Sequence, residues 1–213
     1  MEEKAHGIIL RTRPLTETSV IVHWLTRDLG RIATVAKGAR AQKSSFRGKL
    51  DLFFRADLSF VRSRRSELHI LRELVLLESH PGIRTDFDRV AYAAYAAELI
   101  ELATETETPV PEFFELFADW LAALNRVSLS RSALLAFEWR LLGLSGVQPD
   151  IVTARLTSGA RALAMRIESE SWDEGPDSAA GVEAIREVGR WFSGHLLEQL
   201  NRLPDARARL VFL

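Results

Sequence analysis

The first third of the chain alternates hydrophobic and polar residues in the manner of β-strands. In residues 49–60 every second residue is apolar, so one face of a strand would carry Leu50, Leu52, Phe54, Ala56, Leu58 and Phe60. Four further segments, 7–13, 19–27, 31–37 and 66–79, are rich in β-branched, aromatic or leucine residues. Five strands within about 75 residues indicate a small barrel or sandwich. We favour a barrel, because it leaves few unpaired strand edges.

Beyond residues 79–83, whose Pro and Gly break the strand pattern, the spacing of apolar residues becomes helical. Thr85 or Asp86 is placed to cap a helix over 86–105, and Pro111 opens a second helix. The second helix repeats apolar residues at the spacing of one buried face, namely Phe113, Phe117, Trp120, Leu121 and Leu124.

The rest of the chain also indicates helices. Residues 131–142 are apolar on nearly every side, which predicts the central helix of a bundle. A last helix is predicted over 179–203, ended by Pro204. Residues 147–178 have no clear period and are predicted to form a reduced, irregular segment. The predicted fold class is α+β, with a barrel domain over residues 1–79 and a helical domain over residues 84–213.

The composition is that of a globular protein. Of the 213 residues, 47% are hydrophobic, which is enough for packed cores. No apolar run approaches the ~18–20 residues that span a bilayer, and the N-terminal MEEKAHG is unlike a signal peptide. The chain has no cysteine, which excludes disulfides, thiolate metal sites and cysteine nucleophiles. We expect a cytoplasmic protein.

The net charge of −1 hides an asymmetry along the chain. Residues 1–78 contain 15 basic and 9 acidic residues, whereas residues 79–213 contain 13 and 20. Halves of opposite sign suggest that the first half binds a polyanion. The simpler alternative is that the two halves attract each other.

Most of the positive excess lies in residues 31–65, which contain 10 basic and 2 acidic residues. The densest part is VAKGARAQKSSFRGKLDLFF, residues 35–54. Within thirteen residues this stretch has five cations and no acid between them: Lys37, Arg40, Lys43, Arg47 and Lys49. Clustered cations bind phosphates with release of counterions, and aromatic rings stack on unpaired bases, which makes Phe46 and Phe53 candidates as well. Gly38 and Gly48 would let backbone amides approach phosphates. The alternative is an ordinary solubilising loop with plain turn glycines.

A second basic turn is predicted between the fourth and fifth strands. It contains Arg62, Arg64 and Arg65, and in a five-stranded barrel such a turn can lie near one mouth of a nucleic-acid-binding face. Trp24 is a weaker candidate for stacking on bases, because its neighbours Val20 and Val22 indicate that it faces the core.

No catalytic constellation is recognisable in the sequence. The five histidines are scattered without the spacing of a metal site, and the chain has neither a P-loop nor a G-x-S-x-G motif. His23 and His69 lie among apolar strand residues, where packing is the expected role. Three glutamates on one helix are typical of a solvated surface. We predict a protein that is not an enzyme, with no catalytic residue and no cofactor.

Four motifs occur in succession: TRDLG at 26–30, VAKGAR at 35–40, RGKLDLF at 47–53 and AFEWRLLGLSGVQPD at 136–150. Together they resemble the RecO family of bacterial recombination mediators and DNA repair proteins. The terminal ARARLVFL, residues 206–213, is similar to the family more loosely. About two thirds of the chain takes part in the resemblance.

The resemblance implies an OB-fold followed by a helical domain, with binding and annealing of single- and double-stranded DNA. It also implies RecR and the C-terminal tail of the single-strand-binding protein as partners, and help in loading the RecA recombinase. Lys37 and Arg40 lie in the matching motif and become the first DNA-contact candidates. Lys43, Arg47 and Lys49 follow them from charge and position.

The chain departs from the family at the zinc module. Many members carry four cysteines after the Gly-x-x-Pro turn, but this chain has none, so no structural zinc is expected. Residues 151–178 are too short for the full module and are expected to form a reduced hairpin or helix. The resemblance also implies a pocket in the helical domain for the partner's tail, built from apolar walls and arginines that pair with a carboxylate. The candidates are Phe117, Arg126, Arg140, Leu141 and Leu142, although the leucines and Phe117 also fit a core.

Two other classes of function stay open on the sequence. An RNA-binding OB protein is one, because a barrel that grips the backbone need not reject RNA by charge alone. A scaffold that binds only proteins is the other, with the basic stretch meeting an acidic partner.

Overall fold

The computed structural model describes residues 2–127, 130–169, 172 and 181–212. The chain forms two compact units that do not follow the order of the sequence. The first unit consists of Met1–His80 with Thr104–Ala118, and the second of Pro81–Ala103 with Asp119–Leu213.

The first unit contains a closed five-stranded barrel. Its strands are β1 (Glu2–Pro14), β2 (Val20–Thr26), β3 (Gly30–Ala36), β4 (Arg55–Val61) and β5 (Leu68–Glu78). They close in the order β1-β2-β3-β5-β4, since β1 pairs with both β2 and β4. All pairs are antiparallel except β3 with β5. The barrel is an OB-fold, and the predicted fold class is confirmed.

The barrel core follows the alternation of apolar residues along the strands. Trp24 is fully buried, and its indole Nε1 donates a hydrogen bond to Thr34 Oγ1 at 2.9 Å. The expectation that Trp24 faces the core is confirmed. Ile9, Val22 and Phe60 are also fully buried in this cluster. Burial of an aliphatic or phenyl side chain of this size stabilises the folded state by about 1.5–3 kcal/mol.

The predicted fourth strand is too long at its beginning. The strand starts at Arg55, and residues 50–54 are outside it, with a turn at 52 and 53. Phe53 adopts the left-handed conformation, with φ of 67°, which breaks the alternation. As a result the consecutive Phe53 and Phe54 are both buried, which regular alternation between two faces of a strand does not allow.

The segment Thr104–Ala118, which the sequence assigned to the helical half, groups with the barrel. The backbone N–H of Glu107 donates to Arg31 O at 2.9 Å, and the guanidinium of Arg31 donates to Thr104 O at 2.6 Å. Gly30 has φ of 69°, and a Cβ there would lie 2.0 Å from Thr108 O. Only glycine therefore allows the two backbones to approach this closely.

The helices are α1 (Phe87–Ala103), α2 (Pro111–Arg126), α3 (Arg131–Leu144), α4 (Ser158–Ser169), α5 (Val182–Leu200) and α6 (Arg207–Phe212), with a short 3₁₀ helix at Pro81–Thr85 before α1. Asp86 caps α1, because its Oδ1 accepts from the backbone N–H of Asp88 at 2.9 Å. Among the described residues, no helix has the length and apolar character needed to cross a membrane.

Four of these helices were predicted with bounds, and two were not. Helices α1, α2, α3 and α5 match the predicted segments within a few residues, although residues 179 and 180 lie outside the described residues. Helix α4 lies inside 147–178, where a reduced hairpin or helix was expected without defined bounds, and it spans Ser158–Ser169. Residues 170, 171 and 173–178 of the segment are outside the described residues. The short helix α6 was not predicted.

A buried ion pair joins α6 to α3 within the second unit. Glu138 is fully buried and Arg207 is 2% exposed. Arg207 Nε donates to Glu138 Oε1 at 2.9 Å and its Nη2 donates to Oε2 at 2.7 Å. The hydroxyl of Tyr95 on α1 donates to the same carboxylate at 2.6 Å. Burial raises the pKa of Tyr95 well above its usual value, so this hydroxyl remains a donor.

Candidate nucleic-acid interface

The segment between β3 and β4, residues 37–54, is here called the basic loop. It contains five cations and one acid, Asp51. Lys37, Arg40, Lys43 and Arg47 are exposed, and Lys49 is half-buried. Within the described part of the chain, none of these five cations forms an ion pair with a carboxylate. Their charge is therefore available to an external anion.

The backbone of the basic loop is folded into successive turns. Four N–H groups each donate to the carbonyl three residues before, at 3.0–3.2 Å, and the donors are Ala41, Ser44, Arg47 and Lys49. The N–H of Arg40 donates to Thr18 O at 2.9 Å, which ties the loop to the turn between β1 and β2. A loop ordered in this way has less conformational entropy to lose when it binds a ligand.

Aromatic residues attach the basic loop to the barrel. Phe46 is 8% exposed and belongs with Phe54 to the barrel core cluster. Phe53 is 3% exposed, and its backbone N–H donates to Ile9 O at 2.9 Å. The expectation that Phe46 and Phe53 present ring faces to bases is therefore wrong for this structure. Both rings are buried because removal of apolar surface from water is favourable.

Gly38 and Gly48 are the two glycines of the basic loop. Their φ angles are 68° and 72°, and a Cβ at either position would meet nothing within 4 Å. The left-handed conformation favours glycine at both positions. The open space beside each backbone leaves room for a ligand, and the role in approaching phosphates stays a prediction.

The second basic turn divides into two parts. Arg62 is held by two carboxylates, with Nε donating to Glu3 at 2.8 Å and Nη1 donating to Glu107 at 2.7 Å. The hydrogen bond between Arg62 and Glu3 lowers the pKa of Glu3 and raises the pKa of Arg62. Arg62 is therefore paired with carboxylates of the barrel unit while its side chain is 33% exposed, and its role in DNA binding stays a prediction. Arg64 and Arg65 are exposed and stay candidates.

Sequence reasoning missed a positive face on the barrel itself. Arg11 and Arg13 are exposed on β1, and Arg11 is the direct neighbour of His23 on β2. Burial, followed by the charges of Arg11, Arg13 and Arg31, lowers the pKa of His23 to about 4. The sequence signal for this face was the alternation Arg-Thr-Arg at residues 11–13, which places two cations on one side of a strand with no acid beside them. In OB-folds the second and third strands contribute to the ligand-binding face.

The proposed tail-binding residues are mostly core, and they do not share one unit: Phe117 belongs to the first unit and the other four to the second, helical unit. Phe117, Leu141 and Leu142 are fully buried, so they do not form the walls of an open pocket, and that prediction is wrong. Arg126 is exposed. The guanidinium of Arg140 lies 3.8 Å from the centroid of the Trp172 ring, and burial lowers its pKa.

A different cavity in the helical unit has the required chemistry. It has a volume of about 270 Å³ and is lined by residues of α1, α3 and α6, including Phe87, Asp88, Arg131 and Arg209. Phe87 is 70% exposed, and the guanidinium of Arg209 lies 5.5 Å from its ring centroid. The cavity therefore combines exposed aromatic surface with two cations and one carboxylate. Over the described residues, no group of three or more His, Cys, Asp or Glu side chains is placed to hold a metal ion.

The closed barrel and the loop between its third and fourth strands define an OB-fold protein, a class that includes binders of oligonucleotides and oligosaccharides. The family model described as recombination protein O N terminal matches residues 1–80, and that described as recombination protein O C terminal matches residues 84–206. The chain therefore belongs to the RecO family, as its motifs indicated.

Relatives named DNA repair protein RecO support this assignment. The chain is 34% identical over 151 residues to the one from Bacillus subtilis and 32% identical over 177 residues to the one from Nostoc punctiforme. The alignments cover 71% and 81% of this chain. They cover 58% of each relative, so the chain spans somewhat more than half the length of these proteins.

Proposed function

We propose that the protein is a DNA-binding mediator of recombinational repair that acts in the bacterial cytoplasm, at the nucleoid. The observation that carries the proposal is the basic loop, five cations without carboxylate partners in the described chain on an ordered loop of an OB-fold. Membership of the RecO family, and relatives named DNA repair protein RecO, support it.

The basic loop would bind the phosphate backbone without reading its sequence. Lysine and arginine side chains that neutralise phosphates release condensed counterions, and this release supplies affinity for any sequence. Lys37 and Arg40 begin the loop, Lys43, Arg47 and Lys49 extend it, and Arg64 and Arg65 are secondary candidates. Arg11 and Arg13 on β1 add positive charge to the barrel face.

Annealing of complementary strands would need no catalytic residue, so we infer a function that is not enzymatic. Partial neutralisation of two bound strands reduces their mutual repulsion, and binding both raises their local concentration. The same chain would then help to load RecA together with RecR and the single-strand-binding protein. These partners rest on the family resemblance.

For the C-terminal tail of the single-strand-binding protein, the cavity around Phe87 is the better candidate site. Arg131 and Arg209 can pair with carboxylates, while Phe87 offers exposed apolar surface. The fully buried Phe117, Leu141 and Leu142 offer none.

Fluorescence anisotropy with a labelled single-stranded DNA oligomer, repeated across a salt series, tests the DNA proposal. The Lys37→Ala/Arg40→Ala double variant should bind more weakly at low salt. Its slope of log affinity against log salt should be shallower by about 1.4, since each phosphate contact on a single strand contributes about 0.7. Arg155→Ala/Arg190→Ala is the matched control, because it removes two exposed cations from the helical unit.

An unchanged slope in the Lys37/Arg40 variant would contradict the assignment of DNA contacts to the basic loop. Absence of binding at low salt by the unaltered protein would contradict DNA binding altogether and favour the protein-only scaffold. The third possibility, an RNA-binding protein, is tested by competition with unlabelled DNA and RNA oligomers of equal length. If RNA displaces the labelled DNA at a lower concentration than DNA does, the protein binds RNA preferentially.

A further inference from the structure

We propose that a cavity beside the basic loop receives a single unstacked nucleobase of a DNA strand whose phosphates the loop holds. The inference rests on the proposed DNA binding and adds a second element to it. The loop would recognise single strands through a base as well as through charge.

The cavity has a volume of about 420 Å³ and lies between the basic loop and the start of β2. Its lining contains exposed polar side chains and less exposed apolar ones. The residues that carry the argument are Arg40, Gln42 and Arg47 among the former, and Val20, Phe46 and Leu50 among the latter. A volume of this size falls within the range of about 300–1,000 Å³ typical of small-molecule sites.

The two arginines are placed to bind a base and its phosphates. Each guanidinium donates one hydrogen bond within the described structure. Arg40 Nη1 donates to Thr16 O at 3.4 Å, and Arg47 Nη1 donates to Gln42 O at 3.3 Å. Both bonds are long and lead to carbonyls, so they hold the guanidinium groups loosely without neutralising them. A guanidinium plane stacks on a base, and its remaining N–H groups bind phosphate oxygens.

The other lining residues fit the remaining surfaces of a base. The half-buried Val20 and Leu50 present apolar surface, with the buried Phe46 behind them, and Gln42 has an amide with both donor and acceptor for a base edge. A bare phosphate or a carboxylate would make no use of the apolar part. The chemistry of the lining therefore favours a nucleobase over a simple anion.

Burial of the loop's phenyl rings strengthens the inference. Phe46 and Phe53 are at most 8% exposed, so neither offers a ring face on which successive bases could stack. Insertion of one base into the cavity that Arg40 and Arg47 line is the alternative. A duplex cannot supply such a base without unpairing, which costs a few kcal/mol. The cavity therefore discriminates in favour of single strands.

Anisotropy with two oligomers of equal length and charge tests the cavity. One is ordinary single-stranded DNA, and the other carries tetrahydrofuran abasic sites throughout. The unaltered protein should bind the ordinary oligomer at least about fivefold more tightly, since stacking of even one base contributes that much. Equal affinity for the two oligomers would overturn the proposal and leave the phosphate-binding function intact. Absence of salt-sensitive binding to both would overturn the function itself.

A cavity-filling variant separates base insertion from charge. Ala41→Leu adds apolar volume at an exposed lining residue and should bring the ratio of the two affinities towards one without changing the salt slope. Ser45→Leu adds the same side chain at an exposed residue of the basic loop outside the lining and should keep the ratio. A ratio that Ala41→Leu leaves unchanged would overturn the assignment to this cavity.

A probe that needs no variant completes the test. A 2-aminopurine placed in the bound oligomer brightens when it leaves the stack of its neighbours. We expect this brightening when the unaltered protein binds at low salt. Binding without any change of 2-aminopurine fluorescence, at every position of the probe along the strand, would overturn base insertion even if Ala41→Leu failed to fold.

Discussion

His23 shows how burial and the nearby positive charges of the barrel change the pKa of a single residue. Its imidazole is partly buried, its Nε2 is buried without a hydrogen-bond partner among the described residues, and Arg11, Arg13 and Arg31 lie near enough to repel a proton. Burial is the largest cause of the lowered pKa, and the three cations add to it. The three cations around His23 make this part of the barrel positive.

The lowered pKa of His23 predicts a stability that depends on pH. The folded protein protonates His23 at a pH of about 4, against an ordinary value of 6.5. Between these values the unfolded chain binds the proton more readily, so the free energy of unfolding should fall as the pH falls from 6.5 to 4 and level off outside that window. Urea unfolding at pH 7 and pH 5 measures the effect, and the His23→Gln variant should lose less stability between the two.

All other titratable groups are common to the protein and the variant, so the difference between the two isolates His23. Parallel loss of stability in both proteins would contradict the assignment. The comparison belongs at low ionic strength, because salt screens the contribution of the exposed Arg11 and Arg13.

At the level of elements, α6 depends on one buried charge pair. Arg207→Met would leave the fully buried carboxylate of Glu138 without its cation, and loss of one partner of a buried pair costs about 3–5 kcal/mol. The remaining bond from Tyr95 does not neutralise the charge. Urea unfolding of the variant should show this loss of free energy.

The exposed pair between Arg202 and Glu98 provides the matched control. Its atoms are 3.1 Å apart, and the Arg202 side chain is 62% exposed. Arg202→Met should therefore cost less than about 1 kcal/mol. Equal losses in the two variants would show that the buried pair contributes no more than a surface pair, contrary to the expectation.

The elements themselves were largely predictable where the pattern is local. The strands at 20–26 and 30–36 and the helices with capping or proline signals follow from periods of two and 3.6 that a few neighbouring residues determine. The start of β4 was not predictable in this way. The left-handed Phe53 turns the chain so that two consecutive rings enter the core, and that choice depends on the distant β1 and His80.

Within the candidate site, charge was predictable from the sequence and its accessibility was not. The five cations of the basic loop were recognised from spacing alone, and four of them are exposed. Arg62 looked equally available, but one of its partners, Glu107, is 45 residues away in the segment that returns to the barrel. The cavity beside Gln42 was invisible to sequence reasoning for the same reason, since Val20 and Leu50 meet only in the folded barrel.

For the whole molecule, the opposite charges of the two halves predict where DNA binds. Residues 79–213 carry 20 acidic residues against 13 basic ones, and DNA that crossed them would meet repulsion. We therefore expect the DNA to stay on the barrel. Charges more than about 8 Å away are largely screened at physiological salt, so acids of the helical half should affect DNA binding little.

The Glu168→Gln/Glu198→Gln variant tests this distribution, since both residues are exposed and lie on helices of the second unit. At 0.15 M salt its affinity for a single-stranded oligomer should stay within about twofold of the unaltered protein, because screening removes distant repulsion. Asp51→Asn, which removes the one acid of the basic loop and keeps the oxygen that accepts from Leu52 N at 2.8 Å, should tighten binding measurably. If the helical variant tightened binding as much as Asp51→Asn does, the DNA would have to cross the acidic half, and the barrel could not be the whole interface.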